Sequence, residues 1–336
     1  MNQTVLSRNI VTVRTVAQWS FLGLILFVGA RFAMFVRAVE SGGSAMPLAF
    51  RSPGVEGFLP IGALTSLKFL VTTGHVHPVH PAALVIFLAI CLMSILAKKS
   101  FCSWLCPVGT LSEGTSALGR RLFGRTFRIW PWLDYVLRGG KYLLLFFFVK
   151  IILFDMPPEA VAAFLDSPYW AVSDIKMLHF FTRMSVTTMV VLTFLTGLSL
   201  LYANFWCRYL CPYGALLGLL SILSPFKIRR KAAGCTGCRR CSKACPQALP
   251  VHAATSVRSP ECTGCLNCVV ACPEKDILEM GLQFHRGPLP VPVYPAVLLF
   301  LYFAVIGAGM AMGHWQSVLT IDDYRQLVPL MPRLVH

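Results

Sequence analysis

The stretch that decides the reading is Cys235-Thr236-Gly237-Cys238-Arg239-Arg240-Cys241-Ser242-Lys243-Ala244-Cys245-Pro246. It returns as Cys262-Thr263-Gly264-Cys265-Leu266-Asn267-Cys268-Val269-Val270-Ala271-Cys272-Pro273. Both copies spell C-x-x-C-x-x-C-x-x-x-C-P, the spacing that carries paired 4Fe–4S clusters. In this pattern three close thiolates wrap one cluster and the fourth, before proline, crosses to the other. Cluster one therefore takes Cys235, Cys238, Cys241 and Cys272. Cluster two takes Cys262, Cys265, Cys268 and Cys245. Thr-Gly pairs between the ligands suit a backbone that turns tightly and aims amides at sulfur. Zinc knuckles use two pairs of ligands, not two triplets each trailed by Cys-Pro.

Around this insert the chain is apolar. Of 336 residues 56% are hydrophobic and 13% charged, about half the usual charged share of a soluble domain. Mean hydropathy is +0.67. The class expected is an α-helical integral membrane protein with a small α+β two-cluster ferredoxin-like domain. Five membrane helices are expected near 16–36, 81–97, 141–156, 184–204 and 293–313, since a bilayer asks for about 20 apolar residues each. Segment 57–74, interrupted by Pro60 and Gly62 and carrying Lys68, reads as re-entrant or interfacial. Three regions follow: 1–231 with the first four helices, 232–282 with the ferredoxin-like domain, and 283–336 with the fifth helix and a tail.

The net charge of +16 is assigned to loop bias, not to nucleic acid. Segment 98–141 holds eight Lys/Arg and 225–290 holds ten, while 155–182 carries Asp155, Glu159, Asp166 and Asp174 against Lys176. The positive-inside rule then places the N-terminus and the ferredoxin domain in the cytoplasm and the C-terminus outside, in a multi-pass cell (inner) membrane protein. The first apolar helix reads as an uncleaved anchor. Twelve of the 13 cysteines fall in clustered motifs, which fits cofactor ligation in a reducing compartment. Cys91, within an apolar helix, is read as core.

A second pattern repeats. Phe101-Cys102-Ser103-Trp104-Leu105-Cys106-Pro107-Val108-Gly109 matches Trp206-Cys207-Arg208-Tyr209-Leu210-Cys211-Pro212-Tyr213-Gly214. Each copy follows a membrane helix, so the unit is read as a duplicated hairpin. Proline after Cys106 and Cys211 suits the first position of a helix, which puts each of these thiols at a helix N-terminus. Cys102, Cys106, Cys207 and Cys211 form a candidate set for an additional centre: a third iron–sulfur cluster, a mononuclear iron or zinc, or a redox dithiol. Four unliganded structural cysteines is the bland alternative.

On both ferredoxin runs and both C-x-x-x-C-P motifs, over roughly residues 80–285, the chain resembles the ferredoxin-type membrane proteins of the NapH/MauN family and the related YccM- and NosR-like electron-transport proteins. The resemblance implies quinol-linked electron transfer with clusters on the cytoplasmic side. The function expected is relay of single electrons between the quinone pool, or a cytoplasmic donor, and a redox partner protein such as a ferredoxin, reductase or cytochrome. Quinone is thus a further candidate cofactor. The alternative is a redox-sensing or maturation factor that supplies electrons to assemble or regulate another metalloenzyme. No residue is read as catalytic, and no P-loop or dinucleotide fingerprint is present. His75, His77 and His80 are read as interfacial residues with quinone or proton duty as the sharper option. Asp155, Asp166 and Asp174 are read as solvated loop acids, Arg31 and Lys150 as snorkelling charges. Trp130, Trp132, Tyr169 and Trp170 are read as interface anchors.

Overall fold

The computed structural model describes residues 3–41, 51–125, 127–274, 276–283, 292–331 and 333–334. In chain order the helices are α1 (Gln3–Glu40), α2 (Pro60–Thr73), α3 (Pro81–Ala97), α4 (Phe101–Trp104), α5 (Pro107–Phe123) and α6 (Pro131–Val149). There follow α7 (Pro158–Leu165), α8 (Pro168–Ala171), α9 (Ser173–Thr182), α10 (Val186–Leu201) and α11 (Pro212–Leu220). The insert holds β1 (Phe226–Arg230), α12 (Arg240–Lys243), β2 (Ser256–Val257), α13 (Asn267–Val270) and β3 (Leu278–Leu282). The chain continues through α14 (Val293–Ala311) and α15 (Ile321–Leu327). Proline opens seven of these helices, where its missing N–H has no partner to lose and its φ is already helical.

Among the described residues, two helices are long and apolar enough to cross a bilayer: Ile10–Glu40 within α1, and α14. A third span arises if α9 and α10, bent by 72° at their junction, count as one. α3 is apolar but has 17 residues. The expected third span, 141–156, is the end of α6 running into a π-helical turn, Lys150–Asp155. Segment 57–74 breaks at Leu59, between a 3-10 turn that ends at Phe58 and α2, which Pro60 starts, whereas Gly62 lies inside α2 without interrupting it. A Cβ on Gly62 would stand 2.1 Å from the Trp170 ring, so this glycine is what lets the indole pack there.

The chain forms two compact units. The first comprises Met1–Leu22, Ile90–Leu145 and Thr193–Tyr302. It contains a three-stranded antiparallel sheet of order β2-β1-β3, in register at Ile228↔Val257 and Ile228↔Met280. Phe226, Ile228, Val257, Leu278 and Met280 are buried in this sheet. β1 precedes residue 232, so the insert's central strand begins upstream of its first cysteine run. In the same unit α5 passes α10 so closely that a Cβ on Gly119 would meet the Leu200 carbonyl oxygen at 1.9 Å. Arg14 lies within α1, buried, and donates to both Glu113 carboxylate oxygens at 3.0 and 2.6 Å.

The second unit comprises Gly23–Ala89, Phe146–Leu192 and Phe303–His336. One core cluster joins Phe32, Phe35 and Val36 of α1 to Ile175, Tyr324 and Val328, so α15 is docked and not a free tail. A capping box of Thr320 and Asp323 starts that helix. A second cluster gathers Leu59, Val161, Leu165 and Trp170. Lys68 of α2 donates at 3.0 Å to the carbonyls of Ile152 and Leu153. It thereby satisfies acceptors near the end of the π-helical turn.

Candidate iron–sulfur sites

The two cysteine runs close around two separate small voids, each of ≈ 20 Å³. One is lined by Cys235, Cys238, Cys241 and Cys272. The other is lined by Cys245, Cys262, Cys265 and Cys268. The crossing of the fourth cysteine follows from the backbone. Gly237 and Gly264 turn at φ 70° and 61°, and Arg239 and Leu266 follow at 58° and 63°. Alternating signs of φ produce a concave loop whose amides face inward. α12 and α13 then carry the chain one turn onward, and Cys245 and Cys272 leave toward the neighbouring void.

The environment suits a cationic metal core. Burial pushes the Cys265 thiol up to about 12 and raises Cys268, Cys245 and Cys272. Packed thiols also raise one another, so they become thiolates together only with positive charge among them. Cys235 differs: the Gly237 amide and the Arg230 side chain hold it below its usual range. Among the described residues no three His, Cys, Asp or Glu side chains are placed to hold a single metal ion. The thiols surround voids instead of meeting at a point.

The two Cys-Pro motifs have the same local geometry. The Cys106 N–H donates to the Phe101 carbonyl at 2.9 Å, and the Cys211 N–H to the equivalent Trp206 carbonyl at 3.1 Å. Cys106 and Cys211 are both extended N-cap residues, at ψ 120° and 104°, with Pro107 and Pro212 starting α5 and α11. The Cys211 sulfur accepts from the Gly214 N–H at 3.2 Å. Gly109 is obligatory in its copy, since a Cβ there would stand 2.1 Å from the Cys102 carbonyl oxygen. The Cys102, Cys207 and Cys211 thiols each act electrostatically on Cys106. Burial raises Cys106 strongly and pushes Cys102 to about 11 and Cys207 to about 12.

Charged residues that spacing did not single out complete the arrangement. Lys99 is buried, 3.6 Å from the Glu261 carboxylate. Burial works against its ammonium, but Cys102, Glu261, Cys211 and Cys207 hold it above its usual range. Lys141 binds the same carboxylate at 2.5 Å and Tyr142 donates to it at 2.8 Å. Lys98 is fully buried, with left-handed φ of 65°. Burial lowers its pKa to about 8, while Cys262 pulls it up. Sequence reading counted both lysines as loop charge. The signal available was their place directly before Cys102.

The Cys-Pro site also touches the second cysteine run. The Ser103 hydroxyl donates to the Thr263 carbonyl at 2.7 Å, and the Trp104 indole N–H to the Gly264 carbonyl at 3.2 Å. Thr263 and Gly264 are the residues between Cys262 and Cys265.

Other residues singled out by sequence fall elsewhere. Asp174 is not a solvated loop acid: it is buried with Arg51 at 2.9 Å. His80 is buried too, 3.2 Å from Glu56, which pairs with Arg51 at 2.8 Å. His77 contacts Asp166 at 3.1 Å, and His75 is exposed. Trp170 is buried at 2% exposure and so is no interface anchor, whereas Trp130 and Trp132 are exposed at 71% and 63%. Lys150 pairs with Asp155 at 2.6 Å on the surface. Arg31 lies 5.9 Å from the Phe27 ring. Cys91 is buried in α3.

A family described as a 4Fe–4S binding domain matches twice, at residues 79–126 and 184–231. A family described as a 4Fe–4S dicluster domain matches 227–273. The proposed electron transport protein YccM of Escherichia coli is 45% identical over 334 residues, covering 98% of this chain and 93% of that protein. The ferredoxin-type protein NapH of Haemophilus influenzae is 27% identical over 157 residues, 46% of this chain and 50% of NapH. The regulatory protein NosR of Pseudomonas aeruginosa is 28% identical over 147 residues, 43% of this chain and 20% of NosR. No solved structure matches. With near-complete coverage of a 45% identical relative, the chain belongs to the YccM-like, NapH/MauN-type membrane proteins, which bind 4Fe–4S clusters and transfer electrons.

Proposed function

We propose that this protein is a membrane-embedded wire with three iron–sulfur centres, relaying single electrons between the quinone pool and a cytoplasmic redox partner. Cys235, Cys238, Cys241 and Cys272 would hold one 4Fe–4S cluster, and Cys262, Cys265, Cys268 and Cys245 a second. Cys102, Cys106, Cys207 and Cys211 would hold a third, shared by two copies of one hairpin. The observation that carries this reading is the pair of hydrogen bonds from Ser103 and Trp104 to Thr263 and Gly264. They fix the four-thiol site against the loop that would wrap the second cluster. The clusters supply one-electron chemistry when bound. The protein's own part is electrostatic and steric. Lys98 and Lys99 offset thiolate charge in a buried setting, and Glu261 keeps Lys99 and Lys141 from facing each other unpaired. The fourfold use of Cys-Pro presets the backbone, so that ligand sets need little rearrangement on assembly.

The helices α1, α3, α6, α10 and α14 are counted as five spans, with the ferredoxin domain in the cytoplasm and α15 outside. The matching hydrogen bonds at Cys106 and Cys211, with the twofold family match, support the duplicated hairpin. Likeness to NosR, named as a regulatory protein, supports a sensing role as the second reading. The two differ in turnover, because a relay cycles steadily with quinol oxidation and a sensor does not.

The test is anaerobic purification followed by iron and sulfide counting and EPR. Three 4Fe–4S centres in the parent, two in Cys106→Ser and Cys211→Ser variants, is the expected result. A parent with only two, unchanged by those substitutions, would remove the third centre.

A further inference from the structure

A cavity of ≈ 310 Å³ in the first unit takes no part in the relay. Its walls come from the end of α5, residues 127–129, the turn 202–204, the π-helical turn Trp206–Leu210 and the segment 243–248. The walls are tied together. Phe127 bridges Tyr202 in parallel, the Phe127 N–H donates to the Leu201 carbonyl at 3.3 Å, and the Asn204 N–H to the Ser116 hydroxyl at 3.1 Å. The size stands at the lower end of the range of small-molecule sites, about 300–1,000 Å³.

Its charge is lopsided. Arg120, Arg128, Arg208 and Lys243 line it against one carboxylate, Glu113. Glu113 is already neutralised by the bidentate Arg14. Arg208 is paired with Asp134 at 2.6 Å. Among the described residues the side chains of Arg120, Arg128 and Lys243 make no ion pair or hydrogen bond, which leaves three cations without a side-chain partner around one void. On the same unit Arg14, Arg138 and Lys141 are each paired with a carboxylate. Two further polar atoms of the lining are buried without a partner: the Arg208 Nε and the Asn204 Oδ1. Asn204 sits in the left-handed region at φ 54°, a local cost of the kind that collects at binding sites. Phe127, Tyr202 and Tyr209 supply aromatic wall.

We propose that this cavity binds a phosphate-bearing ligand. Guanidinium groups match phosphoryl oxygens in geometry and charge. The phosphate would come from an anionic lipid headgroup or from a soluble nucleotide. Cys245 is part of the lining, so a bound anion would also disfavour electron addition to the centre that Cys245 is proposed to hold. The inference rests on the relay reading only for that last effect.

The test uses the full-length, cluster-loaded protein in detergent and measures binding by calorimetry. Probes are adenosine diphosphate, inorganic phosphate, and phosphatidylglycerol presented in nanodiscs against phosphatidylcholine. Binding of adenosine diphosphate, with weaker binding of phosphate, assigns a soluble ligand. Retention of phosphatidylglycerol over phosphatidylcholine assigns a lipid headgroup. Arg128→Gln and Lys243→Gln, both at exposed positions, should each weaken binding ~10-fold. Arg121→Gln, on α5 but outside the lining, should leave it unchanged. Equal loss in Arg121→Gln would reduce the effect to surface charge and overturn the site, as would absence of binding by every probe. A bound anion should lower the midpoint of one ferredoxin-type EPR signal. Binding without that shift keeps the site and counts against the placement of a cluster at Cys245.

Discussion

Replacing Arg51 with Met removes the hub of a buried charge network in the second unit. Arg51 lies 2.8 Å from Glu56 and 2.9 Å from Asp174, and its side chain is 2% exposed while both carboxylates are fully buried. His80 contacts Glu56 at 3.2 Å, and the Tyr324 hydroxyl donates to Asp174 at 3.4 Å. Arginine and imidazolium together balance two carboxylates. Without Arg51, two buried carboxylates face one imidazolium. Removing one partner of a buried pair costs about 3–5 kcal/mol, because the remaining charge stays desolvated. For a unit of this size that corresponds to a fall in melting temperature of roughly 10 °C. The assay is thermal unfolding of the purified protein in detergent, followed by tryptophan fluorescence, since Trp170 packs on His80 with ring centroids 4.8 Å apart. Arg51→Met combined with Asp174→Asn should recover much of the loss, because it restores charge balance. A single Arg51→Met variant that melts within about 2 °C of the parent would refute the reasoning.

Further outcomes are expected elsewhere. Burial opposes the His80 cation, but Glu56 and then Asp174 hold its pKa above the ordinary value. Its contribution to stability is therefore fully present below about pH 6.5 and fades as pH rises through the higher folded value. Melting temperature against pH should show this decline in the parent and lack it in His80→Gln; identical slopes would contradict it. Gly119→Ala must displace the Leu200 carbonyl, now 1.9 Å from the added Cβ, and should cost about 1–3 kcal/mol. A variant that unfolds with the parent would show that the α5–α10 approach is looser. Cys238→Ser or Cys265→Ser should remove one cluster and weaken the other, since both share one small sheet. Iron content and EPR equal to the parent in both variants would void the ligand assignment.

Much of the site was legible because cysteine and proline act locally. The x-x spacing sets which thiols share a loop, and Pro107 and Pro212 set where helices begin. The lysines were harder to read. Lys98 and Lys99 look like flanking charge, and only folding brings Glu261, 162 positions after Lys99 in sequence, to within 3.6 Å of it. Asp174 and His80 were misread for the same reason: their partner Arg51 lies far away in the chain, and loop composition alone suggests solvent. Trp170 turned inward because Gly62 leaves space for its ring, a complementarity that no periodicity reports. The π-helical turns at Lys150–Asp155 and Trp206–Leu210 rest on hydrogen bonds one residue longer than in an α-helix, and they leave the apolar pattern almost unchanged.

The relay itself is tested by quinol-driven reduction of the ferredoxin-type clusters in membranes, recorded by EPR beside iron per protein. In the parent, quinol should reduce these clusters or be formed at their expense. The Cys106→Ser/Cys211→Ser variant should keep both ferredoxin-type clusters yet lose that exchange, and each single variant should lose about as much, because four thiols act as one unit. A double variant that exchanges electrons with quinol at the parent's rate would show that the four Cys-Pro-motif thiols are not part of the path.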